Sequence, residues 1–118
     1  MKTLPRLYQA LTDLGFADFG TVAHIGRTLR EAGLIHTGKR GRGALPASAA
    51  DCAALLLAVV VPSRTPAERL AIVRELLPEA GLLDRFHTPR DYTTHIVLAP
   101  GVRYDIFIPA EVFAALAC

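Results

Sequence analysis

The chain has 118 residues and a mass of 12.7 kDa, and 52% of its residues are hydrophobic, which suffices for one domain with a core of its own. Charged residues make up 20%, so the composition is not that of a disordered chain, and no apolar run is long enough to cross a membrane. No signal peptide and no disulfide framework are recognisable. We therefore expect a single cytoplasmic domain over residues 1–118, without membrane contact.

The net charge of +2 is distributed unevenly along the chain. Residues 1–50 contain seven Lys and Arg against three acidic residues, a net +4, whereas residues 51–118 contain six Arg against eight acidic residues, a net −2. A contact with a polyanion is therefore expected in the first half. An ordinary solvated surface is the alternative interpretation.

Apolar residues recur at helical spacing near the start of the chain. The pattern predicts a first helix over residues 4–14 with Thr3 as its N-cap, and a second over residues 19–32 with Asp18 as its N-cap. Each helix is followed by a glycine that can end it in the left-handed conformation, Gly15 and Gly33.

Two further helices are predicted in the middle of the chain. Ser48 and Asp51 form a capping-box signature before the apolar run 52–61, which should be the most buried helix because it is hydrophobic nearly all round. A similar signature begins the next helix, over residues 66–77. Residues 82–86 are expected to add a short turn of helix.

The end of the chain changes to a strand pattern. Residues 92–98 and 102–108 read as two strands joined by an Ala-Pro-Gly turn, and a last helix is predicted over residues 110–116. The predicted fold class is therefore α+β: helices followed by a C-terminal β-hairpin and a short helix.

The second predicted helix and the glycine-rich basic loop after it (residues 37–43, TGKRGRG) contain five of the seven cations of the first half. Apolar positions would fix one side of the helix to the core and leave side chains suited to phosphate and base-edge contacts on the other. The candidate DNA-binding residues are Thr21, His24, Arg27, Thr28 and Arg30 on the helix, and Lys39, Arg40 and Arg42 on the loop.

The run TVAHIGRTLREAGLI, residues 21–35, resembles the recognition helix and its exit in winged helix-turn-helix DNA-binding proteins. The resemblance covers about residues 4–45 and implies a helix-turn-helix-like N-terminal half, with residues 46–118 as a helical core and hairpin that offer a dimer or partner surface. Residues 39–42 also resemble the Arg-Gly-Arg core of AT-hooks, which enters the minor groove. The chain is more loosely similar to small proteins of proteobacterial phages and prophages.

These features predict a small sequence-specific DNA-binding protein, a transcriptional regulator of bacterial or phage origin that binds double-stranded DNA, with a homodimer possible. The alternative is a phage-encoded inhibitor or adaptor that binds a host protein complex and no nucleic acid, favoured by the apolar fraction and by the open edge of the hairpin. A structural or packaging component of a virus particle is a third interpretation.

The sequence offers no recognisable catalytic or cofactor chemistry. His87, Asp91 and His95 have the spacing of metal ligands on a helix, but Pro89 argues against a helix there, so no metal site is expected. Cys52 lies in an apolar run with no adjacent base and should be a buried structural thiol. We expect no enzyme and no cofactor.

Overall fold

The computed structural model describes residues 3–36, 47–61, 65–77 and 80–117. These described residues form six helices and one two-stranded antiparallel sheet, which confirms the predicted α+β class with a C-terminal hairpin followed by a short helix. The elements are α1 (Leu4–Asp13), α2 (Phe19–Glu31), α3 (Ala49–Val60), α4 (Pro66–Leu76), α5 (Ala80–Asp84), β1 (Tyr92–Ala99), β2 (Val102–Ile108) and α6 (Ala110–Ala117).

Side-chain caps begin three of the helices at the predicted residues. The Asp18 carboxylate accepts a hydrogen bond from the Thr21 backbone N–H at 2.7 Å, which caps α2. Ser48 and the carboxylate of Asp51 bond to each other's backbone N–H groups, so the predicted capping box of α3 is confirmed. In α4 the Thr65 hydroxyl oxygen accepts a hydrogen bond from the Glu68 N–H at 3.1 Å.

The predicted N-cap position of α1 at Thr3 is confirmed, but without a side-chain hydrogen bond. Thr3 occupies the N-cap position of α1 with an extended backbone, but its side chain makes no cap hydrogen bond with the described first turn. The three side-chain caps at Asp18, Ser48 and Thr65 all accept from the N–H three residues on, so Pro5 at the second helical position does not account for the missing bond. The predicted glycine endings of α1 and α2 are confirmed, because Gly15 and Gly33 have φ values of +86° and +77°.

Helix α3 is the central element of the core. All its residues from Asp51 to Ala58 are buried, and the helix packs against α2, α4 and α5. A helix that is apolar on every side is stable in water only when other elements surround it. The prediction of the most buried helix at this run is therefore confirmed, with observed bounds of Ala49–Val60.

The hairpin pairs from Tyr92 opposite Ile108 to Val97 opposite Arg103, and an irregularity between Val97 and Ala99 places one extra residue in β1. The turn has the predicted glycine conformation, with φ +78° at Gly101. Because side chains alternate between the two faces, one face of the hairpin turns inward at its base. Its buried residues are Tyr92, Ile96, Ile106 and Ile108.

An aromatic cluster attaches the base of the hairpin to the helices. Phe113 of α6 is fully buried and meets Phe86 and Tyr92 edge to face, with ring centroids 5.2 and 6.4 Å away. The Asp91 carboxylate also accepts a hydrogen bond from the Ala110 N–H at 2.8 Å. The start of β1 and the start of α6 are thus joined directly.

Candidate nucleic-acid interface

Helix α2 has a fully buried side that fixes its position. Val22 and Leu29 have no exposed surface, and Ile25 is 3% exposed. At Gly26 the neighbouring helix α1 comes so close that a Cβ atom would overlap the Tyr8 hydroxyl and lie 2.6 Å from Cε1 and Cζ of the ring. The contact between Tyr8 and Gly26 therefore determines how closely α1 and α2 can approach.

The structure leaves most of the predicted helix residues open to solvent. Thr21, His24, Arg27 and Arg30 are exposed, as a DNA-contacting face requires. Thr28 is half-buried, and its hydroxyl donates to the His24 carbonyl oxygen at 3.0 Å. The Thr28 proton is thus already used within the helix, which leaves only its oxygen and methyl group for an outside partner.

The exposed residues of α2 fall into two groups around the helix. At about 100° per residue, Thr21, His24 and Thr28 line one edge of the exposed face, while Arg27 and Arg30 lie further round. Burial raises the pKa of Tyr8, and Arg30 and Arg27 oppose that shift through their charges, so both guanidinium groups act on the Tyr8 hydroxyl. The charges of the two arginines therefore reach the Tyr8 hydroxyl, although both side chains are exposed.

Two exposed acidic residues bracket the cations of α2. Asp18 lies at the N-terminal end, where hydrogen bonding from Thr21 lowers the pKa of its carboxyl group and keeps it ionised. Glu31 follows Arg27 by one turn on the exposed face. The sequence predicted Asp18 as an N-cap, but the two carboxylates were not weighed against the cations of the helix, although the four-residue spacing from Arg27 to Glu31 was visible. With His24 neutral, the charges from Asp18 to Glu31 cancel.

The predicted loop residues Lys39, Arg40 and Arg42 lie outside the described residues, as does the stretch in which a wing would be found. The described residues on either side meet at one carboxylate. Oδ1 of Asp51 accepts from the His36 N–H and Oδ2 from the Ser48 N–H, each at 3.1 Å, and Asp51 is 2% exposed. A buried acid therefore holds His36 and Ser48, described residues on either side of the interval 37–46, beside the start of α3.

The described residues contain no group of three or more His, Cys, Asp or Glu placed to hold a metal ion. His87, Asp91 and His95 do not share a helix: the first lies in a turn, the second precedes β1 and the third is in β1. Burial of Cys52 raises the pKa of its thiol to about 11, so the thiol stays protonated at neutral pH, as expected of a structural cysteine. No helix among the described residues has the length and apolarity needed to cross a membrane.

A second exposed surface lies on the hairpin, and no pattern in the sequence identified its residues. Phe107 and Val97 are 61% and 66% exposed on the outward face. Tyr104 and Val102, 47% and 48% exposed, lie near the turn on the face that is buried lower down. Alternation along a strand can assign its two faces, but it does not show where the helices cease to cover them.

Comparison of the chain with protein-family models, with curated proteins and with solved structures finds no match. The features of the chain that bear on its function are the side chains of α2, the basic residues after it and the hairpin.

Proposed function

We propose that the protein binds double-stranded DNA sequence-specifically, through the exposed face of α2 and the basic stretch over residues 37–43, and acts as a cytoplasmic transcriptional regulator of bacterial or phage type. The observation that supports this proposal is the pair Arg27 and Arg30, exposed on a helix whose opposite side is completely buried. A side chain that reads a groove must project from a fixed backbone, and the packing against Tyr8 provides one.

In this proposal α2 and the basic stretch contribute differently to DNA binding. The charges from Asp18 to Glu31 cancel, so α2 contributes hydrogen bonds and shape, from Thr21, His24 and its two arginines, more than net attraction. The attraction to phosphate comes from Lys39, Arg40 and Arg42, three cations without an acid between them. These three also suit the minor groove, which favours cations between small residues.

The test begins with selection of bound sequences from random double-stranded DNA at two salt concentrations. The enriched sequence is then titrated with the K39A/R40A/R42A triple variant over a range of salt. We expect the affinity to fall and the slope of log K against log salt to drop by about one unit for each phosphate that the variant no longer binds. The matched control is Arg74→Ala, which removes an exposed cation from α4 and should leave the slope nearly unchanged.

The R27A/R30A variant tests the reading helix separately. We expect it to bind the enriched sequence with little preference over random DNA, because each base that an arginine ceases to read removes about 1–3 kcal/mol of discrimination. Absence of any enriched sequence would overturn sequence-specific binding, and an unchanged affinity and slope in the triple variant would remove the basic stretch from the interface.

A second candidate function is binding of a host protein complex, as an inhibitor or adaptor without nucleic-acid contact. The observation that favours it is the apolar surface of the hairpin at Val97 and Phe107, because apolar patches on a small protein often mark protein contacts. Failure of the protein to bind DNA at low salt, with the fold intact, would favour this candidate.

A further inference from the structure

The most exposed large apolar side chains of the described residues are all on the hairpin. They are Val97, Val102, Tyr104 and Phe107. The same hairpin is a sheet of only two strands, and two strands alone are marginally stable in water. Its apolar surface and its unpaired backbone therefore occur together, as at the edge of a larger sheet.

The two outer edges of the hairpin differ in regularity. The extra residue between Val97 and Ala99 interrupts the outer edge of β1, and such bulges hinder the addition of another strand. Strand β2 runs from Val102 to Ile108 without an irregularity, and it contains neither proline nor lysine, two residues that commonly protect an edge. Within the described residues β2 pairs only with β1. Of the two edges, β2 is the one suited to a further strand.

We propose that this further strand is β2 of a second copy, and that two copies pair antiparallel about a two-fold axis at Tyr104 to form a four-stranded sheet. A two-fold axis perpendicular to the sheet keeps the inner faces of both copies on one side. Residues that lie opposite each other then share a face, which restricts the register to steps of two along each strand.

Charge selects among these registers. With Tyr104 on the axis, Arg103 lies opposite Asp105 of the second copy, and Asp105 lies opposite Arg103 of the second copy. Moving the axis to Asp105 places two aspartates opposite each other, and moving it to Arg103 places two arginines opposite each other. Like charges directly opposite destabilise a strand pair, whereas opposite charges stabilise it. β2 is thus self-complementary about Tyr104.

The same register brings the apolar residues near the turn of both copies side by side. Tyr104 meets its own copy, and Val102 lies opposite Ile106 of the second copy, all on the inner face. Val102 and Tyr104 are about half exposed in the single chain, whereas Ile106 is 5% exposed, so the pairing extends the apolar surface that the helices begin to cover.

The ion pair within one chain leaves these charges available. Nε of Arg103 lies 3.0 Å from Oδ1 of Asp105, with 65% and 72% of the two side chains exposed. An exposed pair of this kind contributes little to the stability of the single chain. In the four-stranded sheet the pair would meet its own copy, and each charge would gain a second opposite partner.

Sedimentation velocity over a range of protein concentrations, without DNA, tests the proposal. We expect the unaltered chain to be a dimer that dissociates on dilution, because edge pairing buries a small area. R103D and D105R each place two like-charged pairs across the axis and should weaken the dimer by about tenfold or more. An equimolar mixture of R103D and D105R should form a heterodimer, because the opposite charges then face each other again, and the R103D/D105R double variant should recover the homodimer.

The matched control is Thr93→Asp, which adds a charge to an exposed position of β1 and should leave the dimer unchanged. Thermal unfolding of each variant verifies that the exposed substitutions leave the fold intact. A monomer at every concentration, a dimer that both single variants preserve, or a mixture without heterodimer would overturn the proposal. The test of this dimer is independent of DNA binding, because the sedimentation experiment contains no DNA.

Discussion

The exposed face of α2 and the exposed surface of the hairpin differ in how completely the inner side of each element is buried. Helix α2 is polar outside and completely apolar inside, and α1 and α3 cover its inner side. The hairpin is covered only at its base, where Phe113 and its neighbours pack, and nearer its turn Val97 and Tyr104 reach solvent. The first surface is stable in water as it stands, whereas the second exposes apolar area that a partner would cover.

This difference suits the two surfaces to different kinds of partner. The α2 face offers hydrogen-bond donors and cations on a fixed helix, which suits a charged and hydrated partner such as DNA. The hairpin offers an open strand and apolar side chains, which suit another strand. A substitution can therefore be chosen that affects one surface and spares the other.

The largest expected effect comes from Phe113→Ala at the base of the hairpin. The variant should lose about 3–5 kcal/mol of unfolding free energy, because it removes a fully buried ring that contacts Phe86 and Tyr92. Urea unfolding measures the loss, and amide hydrogen exchange should rise more in β1 and β2 than in α2. The control is Phe107→Ala on the same hairpin, 61% exposed, which should change stability by no more than about 0.5 kcal/mol. Equal losses of unfolding free energy in the two variants would contradict the finding that the helices cover the hairpin only at its base.

A smaller effect is expected from Gly26→Ala, which tests the support of α2. The added methyl must displace the Tyr8 ring, at a cost of about 1–3 kcal/mol that the better helix propensity of alanine reduces by up to about 1 kcal/mol. Gly20→Ala on the same helix is the control, because its Cβ would meet only Oδ1 of Asp18 at 3.6 Å. Thermal unfolding should show a loss at position 26 and none at position 20.

Combination with Tyr8→Leu makes this test specific. The G26A/Y8L variant should be more stable than the sum of the two single changes predicts, because leucine removes the atoms that the new methyl would strike. Strict additivity would mean that Tyr8 does not set the distance between α1 and α2.

The smallest expected effect is a dependence of the unfolding free energy on pH that is caused by Cys52 in α3. Burial raises the pKa of Cys52 to about 11 from its ordinary value of 9.0, so folding favours the protonated thiol. This contribution is fully present below pH 9 and is lost as the pH rises towards 11, which amounts to about 1.4 kcal/mol at pH 10. Urea unfolding of the unaltered chain and of Cys52→Ala at pH 8 and pH 10 gives the difference. Parallel losses in the two proteins would contradict the assignment.

Local chemistry made much of the fold predictable from the sequence. The caps at Asp18 and Ser48 and the left-handed glycines act over three or four residues, and the structure has them where the pattern predicts them. Helical period also predicted which residues of α2 face outward. Thr3 occupies the N-cap position of α1 but makes no side-chain hydrogen bond there, although its residue type allows one.

Contacts between distant residues could not be predicted in this way. The approach of Tyr8 to Gly26 depends on how α1 crosses α2. The bulge in β1 depends on its pairing with β2. Asp51 was recognisable as a capping-box member, but its bond to His36 forms only because the chain returns to the same place.

That bond has a consequence for how the chain could change. Because one buried carboxylate holds both His36 and Ser48, the interval between α2 and α3 is closed at its base independently of what lies in it. Each doubling of a loop's length costs only about 0.6 kcal/mol in closure entropy. The interval can therefore be exchanged for one of different length or charge while Asp51 is kept, and a single scaffold could acquire a new ligand preference without rebuilding its core.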